Sequence, residues 1–356
     1  MEESGQTGPK VLQTPAHISS LAFGHRSHLF AGCDDGTVRL YDLETYKVMK
    51  AIRGLKSEVS SIACLERSGV DYRDAWIACG RQIFSFRMDS EKLVLTPEDA
   101  VSTFQICEDE EDVLNEISFD GGKKNLAFST DSGNAGVLDL TTKKVVKMKT
   151  KHTNICANVK FIPDRPREIV SSGYDETLLH FDGLQGSLLS RRKMPPIDST
   201  VDGMTLSPPF ITCTAISPAG VLAAGLADGR LWLGFGGEKT STPKSAGKRR
   251  ARKWNGLSEE SELGPQKIAD GPIVAANFID SDILVVSTLL GTIKIFRLLR
   301  EKDGEVPQLE EVLEIQAKTI EKVNALAIHG ARIAIGGFAK DGKGVIVIWD
   351  ENTVWK

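Results

Sequence analysis

The sequence predicts an all-β chain: a seven-bladed β-propeller of four-stranded sheets, with an N-terminal strand closing the last blade. Three observations predict it. One strand–turn–strand pattern recurs seven times along the 356 residues. The repeat length, roughly fifty residues, suits one four-stranded sheet plus its connections. The chain also begins with a spare strand and ends one strand short.

The first unit shows the pattern. "HISSLAF" (17–23) alternates apolar and polar residues, then "HLFAGC", "DDG" and "TVRLYDL" read as strand, turn and strand. Thr, Val and Tyr suit a pleated surface, and Asp-Gly is a hairpin signal. Six further units follow at 75–87, 125–140, 168–182, 221–235, 283–298 and 332–350, each preceded by its own alternating strand. The residue before the strand-ending acid, or its equivalent, falls at 41, 86, 138, 181, 234, 296 and 349. Blades are therefore expected at 16–57, 58–107, 113–151, 152–194, 211–270, 271–316 and 320–356. One such sheet cannot cover both of its faces, so the sheets must stack in a ring.

Closure is an independent check. The last unit ends at "VIVIWDENTVWK" with no residues left for an outer strand, while "KVLQTP" (10–15) has no partner of its own. Pairing the two removes an open edge. One local conflict remains at "LEEVLEIQAKTIEKV" (309–323), whose apolar spacing also suits a helix; the repeat requires a strand over 309–316.

Composition agrees with a packed chain: 41% hydrophobic, 26% charged, net charge -4. This balance does not suggest a general nucleic-acid binder. No apolar run is long enough for a membrane helix, and the start lacks the basic and apolar segments of a secretory signal. Six cysteines, none in C-x-x-C, read as reduced core thiols of a nuclear or cytoplasmic protein.

Seven units of this kind resemble the WD-repeat family of β-propellers, with "YD" at Tyr41, "FD" at Phe181 and "WD" at Trp349 matching the dipeptide that names it. The resemblance implies a buried hydrogen-bonded set of His, Ser or Thr, turn Asp and Trp. The fourth unit comes nearest, with His152, Ser171 and Asp175, and Phe181 in the Trp place. The first has His17, Asp35 and Tyr41, with Ala31 in the Ser place. Asp34 and Asp35 thus read as turn acids, not as a catalytic pair, which would need environments that split their pKa values.

Three segments fall outside the repeat. Glu108, Asp109, Glu110, Glu111 and Asp112 form a run on a d–a loop. Such a run is either a solvated loop or a docking site for a basic partner. Residues 236–266 are rich in Gly, Ser, Lys and Glu and are expected as a disordered insertion. It contains Lys248, Arg249, Arg250, Arg252 and Lys253, a nuclear import candidate, an inert basic loop or a weak nucleic-acid contact. A Pro-rich loop spans 195–210.

No P-loop, G-x-S-x-G or H-E-x-x-H is present, so no catalytic residue, metal or cofactor is expected. His25 and His28 in "GHRSH" read as turn histidines.

The run "DSG", "LDL", "KKV", "H-x-N-I-C", "V-x-F", "P-x-R-P" and "VSSG" within 131–173 is more specific. With the Pro-rich loop ending "LSPPF", it resembles the WD repeat-containing protein 53 family. That resemblance implies a non-enzymatic scaffold: a substrate receptor of a cullin-4 ubiquitin ligase, whose partners are the ligase's adaptor propeller and a protein substrate. The W-D-x-R Arg that many such receptors carry is absent: its positions hold Glu44, Thr141, Leu184 and Asn352. The alternative is a nuclear ribosome-biogenesis or RNA-associated propeller working through its basic insertion.

Overall fold

The computed structural model describes residues 8–24, 27–196, 208–236, 254–299 and 308–350. Seven sheets follow one another in chain order, each with strands a to d from the channel outward. Blade 1 holds Ile18–Phe23, His28–Cys33, Val38–Asp42 and Lys47–Ile52. Blade 2 holds Val59–Leu65, Asp74–Cys79, Gln82–Phe86 and Ser102–Gln105. Blade 3 holds Leu114–Phe119, Asn125–Thr130, Ala135–Asp139 and Val145–Lys147. Blade 4 holds Cys156–Ile162, Arg165–Gly173, Thr177–Asp182 and Ser187–Lys193. Blade 5 holds Ile211–Ile216, Val221–Leu226, Arg230–Phe235 and Glu262–Lys267. Blade 6 holds Ile273–Phe278, Ile283–Thr288, Thr292–Leu299 and Gln308–Gln316.

Blade 7 takes Lys322–His329, Arg332–Phe338 and Gly344–Trp349 from the end of the chain and Lys10–Thr14 from its start. The closing pair is antiparallel, with Lys10 opposite Ile348 and Thr14 opposite Gly344. A clamp crosses the same seam. Tyr46 Oη donates to Asp350 at 3.2 Å, Arg332 Nε donates to it at 2.5 Å, and the Lys10 ammonium lies 4.9 Å above the Tyr46 ring.

The core lies between blades. Strands b are mostly buried on both faces, and 75–79 and Val221–Leu226 read as unbroken apolar runs. Seven apolar clusters result among the described residues, one per seam. Phe30, Val38 and Leu40 of blade 1 meet Ile62, Ile77 and Phe84 of blade 2. Leu29 and Tyr41 meet Ala334 and Ile346 across the closure. Full burial of one such side chain stabilises by roughly 1.5–3 kcal/mol, so the seams carry the fold.

Every strand a is bulged near its start. The extra residues are Ser19, Ser60, Asn115 with Glu116, Ala157, Thr212, Val274 and Asn324. A bulge re-aims a side chain. Here it turns polar groups onto the next blade. Ser19 Oγ donates to the Val59 carbonyl at 2.8 Å, Asn115 Nδ2 to Cys156 at 3.1 Å and Asn324 Nδ2 to Ile18 at 2.9 Å. Thr212 Oγ1 donates to Ile273. Ala157 and Val274 have no donor to offer. Ser60 bonds within its own blade, to Ala78.

The strand-ending acids cap the turns that follow. Asp42 accepts from the Glu44 amide at 2.9 Å, Asp139 from Thr141 at 2.8 Å and Asp182 from Leu184 at 3.0 Å. Each is an Asx turn, in which a short carboxylate satisfies amides that no strand can reach.

Residues 309–316 are strand, and the reason for their helix-like spacing is visible. A bulge falls between Ile295 and Phe296, which oppose Leu313 and Glu311, so Val312 is the extra residue and faces solvent. Leu309, Leu313 and Ile315 face inward.

Two features depart from the repeat reading. After Phe86 the chain crosses to the neighbouring blade, where Val94–Leu95 adds a fifth, parallel strand to blade 1. Lys50, buried, donates to the Ser90 and Lys92 carbonyls beneath this crossing. The insertion expected to be disordered over 236–266 is ordered from Trp254 onward. Trp254 is 1% exposed, and its Nε1 donates to the Gly220 carbonyl at 3.1 Å. Glycines make room for it: a Cβ on Gly236 would lie 1.6 Å from Trp254 Nε1, and one on Gly256 would lie 2.2 Å from its ring. Burying an indole outweighs the ordering of the few residues around it. Residues 262–267 then pair as strand d.

Candidate protein-docking face

The described d–a and b–c connections lie on one face, around one end of the channel. A cavity of about 620 Å³ opens there. Its wall includes Asp34, Glu58, Asp131, Tyr174, Lys322 and Phe338. Burial, with Asp34 and Asp131 nearby, pushes the Glu58 carboxyl up from its usual range. The mouth is therefore rich in negative charge that repels itself. Aromatic pairs flank it: His17 stacks on Phe338 at 4.6 Å, and Tyr174 on Phe210 at 5.5 Å. Deeper in the channel, Lys160 Nζ donates to Glu116 Oε1 at 2.5 Å, and the Val159 amide to Glu116 Oε2 at 2.8 Å. This buttressed ion pair forms part of the channel wall.

His152, Ser171 and Asp175 are brought together. His152 is 1% exposed. Its Nδ1 lies 2.8 Å from Asp175 Oδ1 and its Nε2 2.8 Å from Ser171 Oγ. Thr177 Oγ1 also donates to Asp175, at 2.7 Å. Burial alone would raise the Asp175 carboxyl, but the His152 and Thr177 contacts outweigh it and hold it near about 2. Phe181, fully buried, contributes packing only. The set fixes a d–a loop to a b–c turn.

Other positions correct the sequence reading. His17 bonds Asp34, at 3.1 Å, and not Asp35, whose carboxylate caps Thr37 at 3.0 Å. The place four residues before the bulged strand, held by His152 in blade 4, is Thr14 in blade 1. Its hydroxyl donates to the Ala16 carbonyl at 2.7 Å. His28 opens a strand and stacks on Tyr72 at 5.1 Å; His25 lies outside the described residues.

In the acidic run, Glu108, Asp109, Glu110 and Glu111 are exposed, but Asp112 is buried. Asp112 accepts from the Ser132 amide at 2.9 Å and the Ser132 hydroxyl at 2.8 Å. It is unavailable to a partner, because Ser132 stands in blade 3 where the turn of blade 4 has Asp175, and the loop supplies the acid instead. Blade 3 thus makes the loop-to-turn link of blade 4 with donor and acceptor exchanged. No charge count along 108–112 separates the inward residue from its neighbours.

Lys248, Arg249, Arg250, Arg252 and Lys253 lie outside the described residues, as do 197–207 of the Pro-rich loop. All six cysteines are free thiols. Burial pushes Cys64, Cys107 and Cys213 up to about 12, and raises Cys33, Cys79 and Cys156 as well. No described helix is long and apolar enough to cross a membrane.

Residues 8–42 match the family model of the WD domain, G-beta repeat. The fold is that of a seven-bladed β-propeller, and its opening repeat is similar to the WD-repeat family. Over 200 residues the chain is 28% identical to the WD repeat-containing protein 53 homolog of Dictyostelium discoideum, covering 51% of each chain. The chain thus spans about half the length of the curated relative it matches. The WD-repeat match covers the closing strand and most of blade 1, including the Asp35 turn and the Tyr41–Asp42 dipeptide.

Proposed function

We propose that this WD-repeat propeller is a non-enzymatic scaffold that docks a basic segment of a partner protein at the channel mouth. The observation that carries this reading is the convergence of Asp34, Glu58 and Asp131 on one concave cavity. Long-range attraction to such a mouth raises the rate of encounter with a positively charged segment. The exposed Glu108 to Glu111 extend the same sign of charge on the same face. Lys248 to Lys253 serve nuclear import in this reading, with the protein shared between nucleus and cytoplasm.

The resemblance over 131–173 supports a narrower role as substrate receptor of a cullin-4 ubiquitin ligase. Glu44, Thr141 and Leu184 stand where receptor arginines would, so adaptor docking would use other residues. Affinity purification of the tagged full chain with mass spectrometry tests both levels. Cullin-4 and its adaptor are expected among the partners. Their absence from a clean pulldown removes the receptor role. Unchanged partner recovery after Asp34→Lys with Asp131→Lys removes the mouth as the docking site.

A further inference from the structure

Blade 2 has the shortest b–c connection on this face. Cys79 ends strand b and Gln82 begins strand c, leaving Gly80 and Arg81 as the turn. The corresponding turns of blades 1, 3, 4 and 5 carry Asp35, Asp131, Asp175 and Asp228. Here the acid is gone and a cation stands in the connection. The shortening leaves a groove of about 760 Å³ between blades 1 and 2, into which Arg53, Lys56 and Arg81 all project.

The floor of this groove is built. Gly80 has φ +54°, and a Cβ there would lie 2.8 Å from Ser57 Oγ, so the turn sits directly on the d–a loop of blade 1. Cys79 Sγ donates to the Ser57 carbonyl at 3.0 Å, and the Leu114 amide to the Gly80 carbonyl at 2.8 Å. On the outer side the Arg53 amide donates to the Leu95 carbonyl at 2.9 Å, fixing the added strand against blade 1.

Among the described residues the three cations lack hydrogen-bonded or ion-paired partners. Arg67, Arg73, Lys92, Arg192, Arg230 and Arg332 are each engaged by a carboxylate. The side chains of Arg53, Lys56 and Arg81 have no hydrogen bond or ion pair among the described residues. Glu98 and Glu110 line the same groove and offset part of the charge, leaving a modest positive excess.

We propose that this groove is a second docking site, for an acidic peptide segment of a protein partner that presents Asp or Glu side chains. Guanidinium forks match carboxylates in geometry as well as charge. The modest excess favours single carboxylates over a doubly charged phosphate, which Glu98 and Glu110 would repel. The site extends the scaffold reading to a partner of opposite charge and does not depend on the mouth being occupied.

The test is fluorescence anisotropy of a fluorescein-labelled Glu/Gly peptide titrated with the full chain at low salt. Saturable binding is expected, weakened about tenfold by Arg81→Glu and by Arg53→Glu. Lys56→Gln and Arg53→Gln, which alter exposed side chains and leave the floor intact, should each weaken it severalfold with unchanged thermal unfolding. Asp131→Lys, in the mouth, should leave it unchanged or tighter, so failure of the mouth and failure of the groove can be told apart. The proposal is overturned if the wild type does not bind the peptide, or if Arg53→Gln and Lys56→Gln bind it as the wild type does. It is likewise overturned if a phosphoserine peptide binds where the Glu peptide does not, or if an RNA oligonucleotide of equal charge displaces the peptide at lower concentration.

Discussion

Asn324 Nδ2 donates to the carbonyl oxygen of Ile18 at 2.9 Å, joining the bulge of the last inner strand to the first inner strand across the closure of the ring. Ser19 makes the next link, to Val59, and Asn115 and Thr212 repeat the device further round. One side chain per blade, aimed by one bulge, thus bridges four of the seven seams. Asn324→Ala should cost about 1 kcal/mol of unfolding free energy. Val274→Ala, whose side chain makes no such link, serves as the comparison for trimming a bulge residue. Urea denaturation of the two variants checks this, and equal losses would place the effect in packing.

Trp254 is the anchor that the composition of 236–266 conceals. Trp254→Ala should destabilise by about 3–5 kcal/mol. Trp254→Phe keeps the ring but loses the bond to Gly220, and should cost less. Intrinsic fluorescence followed through thermal unfolding would rank the two.

Asp112 and Glu110 differ by two positions and should behave in opposite ways. Asp112→Asn weakens the contacts to Ser132 and should lower stability by about 1–2 kcal/mol, with little effect on a basic partner. Glu110→Gln should leave the melting temperature unchanged. Calorimetry on both variants separates a structural acid from a surface one.

Asp175 gives the fold an acid limit. Its carboxyl is held near about 2 when folded, below the ordinary 3.8. A lowered folded pKa contributes stability above the unfolded pKa and loses it as pH falls through the folded one. Between pH 4 and pH 2 the protein should therefore lose roughly 2 kcal/mol from this group. Asp175→Asn should be less stable at neutral pH and show a flatter stability profile over that window, read by denaturant midpoints at each pH.

The thiols should resist modification. Burial raises all six, so the thiolate that reacts is scarce. A disulfide reagent should label the native chain slowly at neutral pH and label six sites once urea unfolds it. Fast labelling of the native protein would contradict the packing described for the seams.

Much of this architecture was legible in the sequence because it depends on pattern. The pairing of 10–15 with the last blade follows from a strand count, and Asp42, Asp139 and Asp182 mark their turns by residue type. What escaped depends on direction and shape. Thr14 fills the structural place that His17 suggested, because a spacing of four residues from the start of the bulged strand decides it and the bulge is invisible in sequence. The strand at Val94–Leu95 is two residues long and belongs to its neighbour's sheet, so no repeat logic reaches it. The glycines around Trp254 looked like linker composition, whereas Gly236 and Gly256 are there for want of a side chain. The helix-like spacing at 309–323 is one bulge at Val312 seen in one dimension.

The latch between Lys10–Thr14 and Gly344–Trp349 also sets a timetable. During synthesis at about 5–20 residues per second, the first of these strands waits some tens of seconds for the second. For that interval it is an unpaired ribbon attached to a growing arc of sheets. Lys10 and Gln13 make it a poor template for strangers, as an edge strand should be. The circle therefore cannot be completed before the ribosome has made Gly344–Trp349, and a nascent chain stalled short of that strand holds finished blades with an open side.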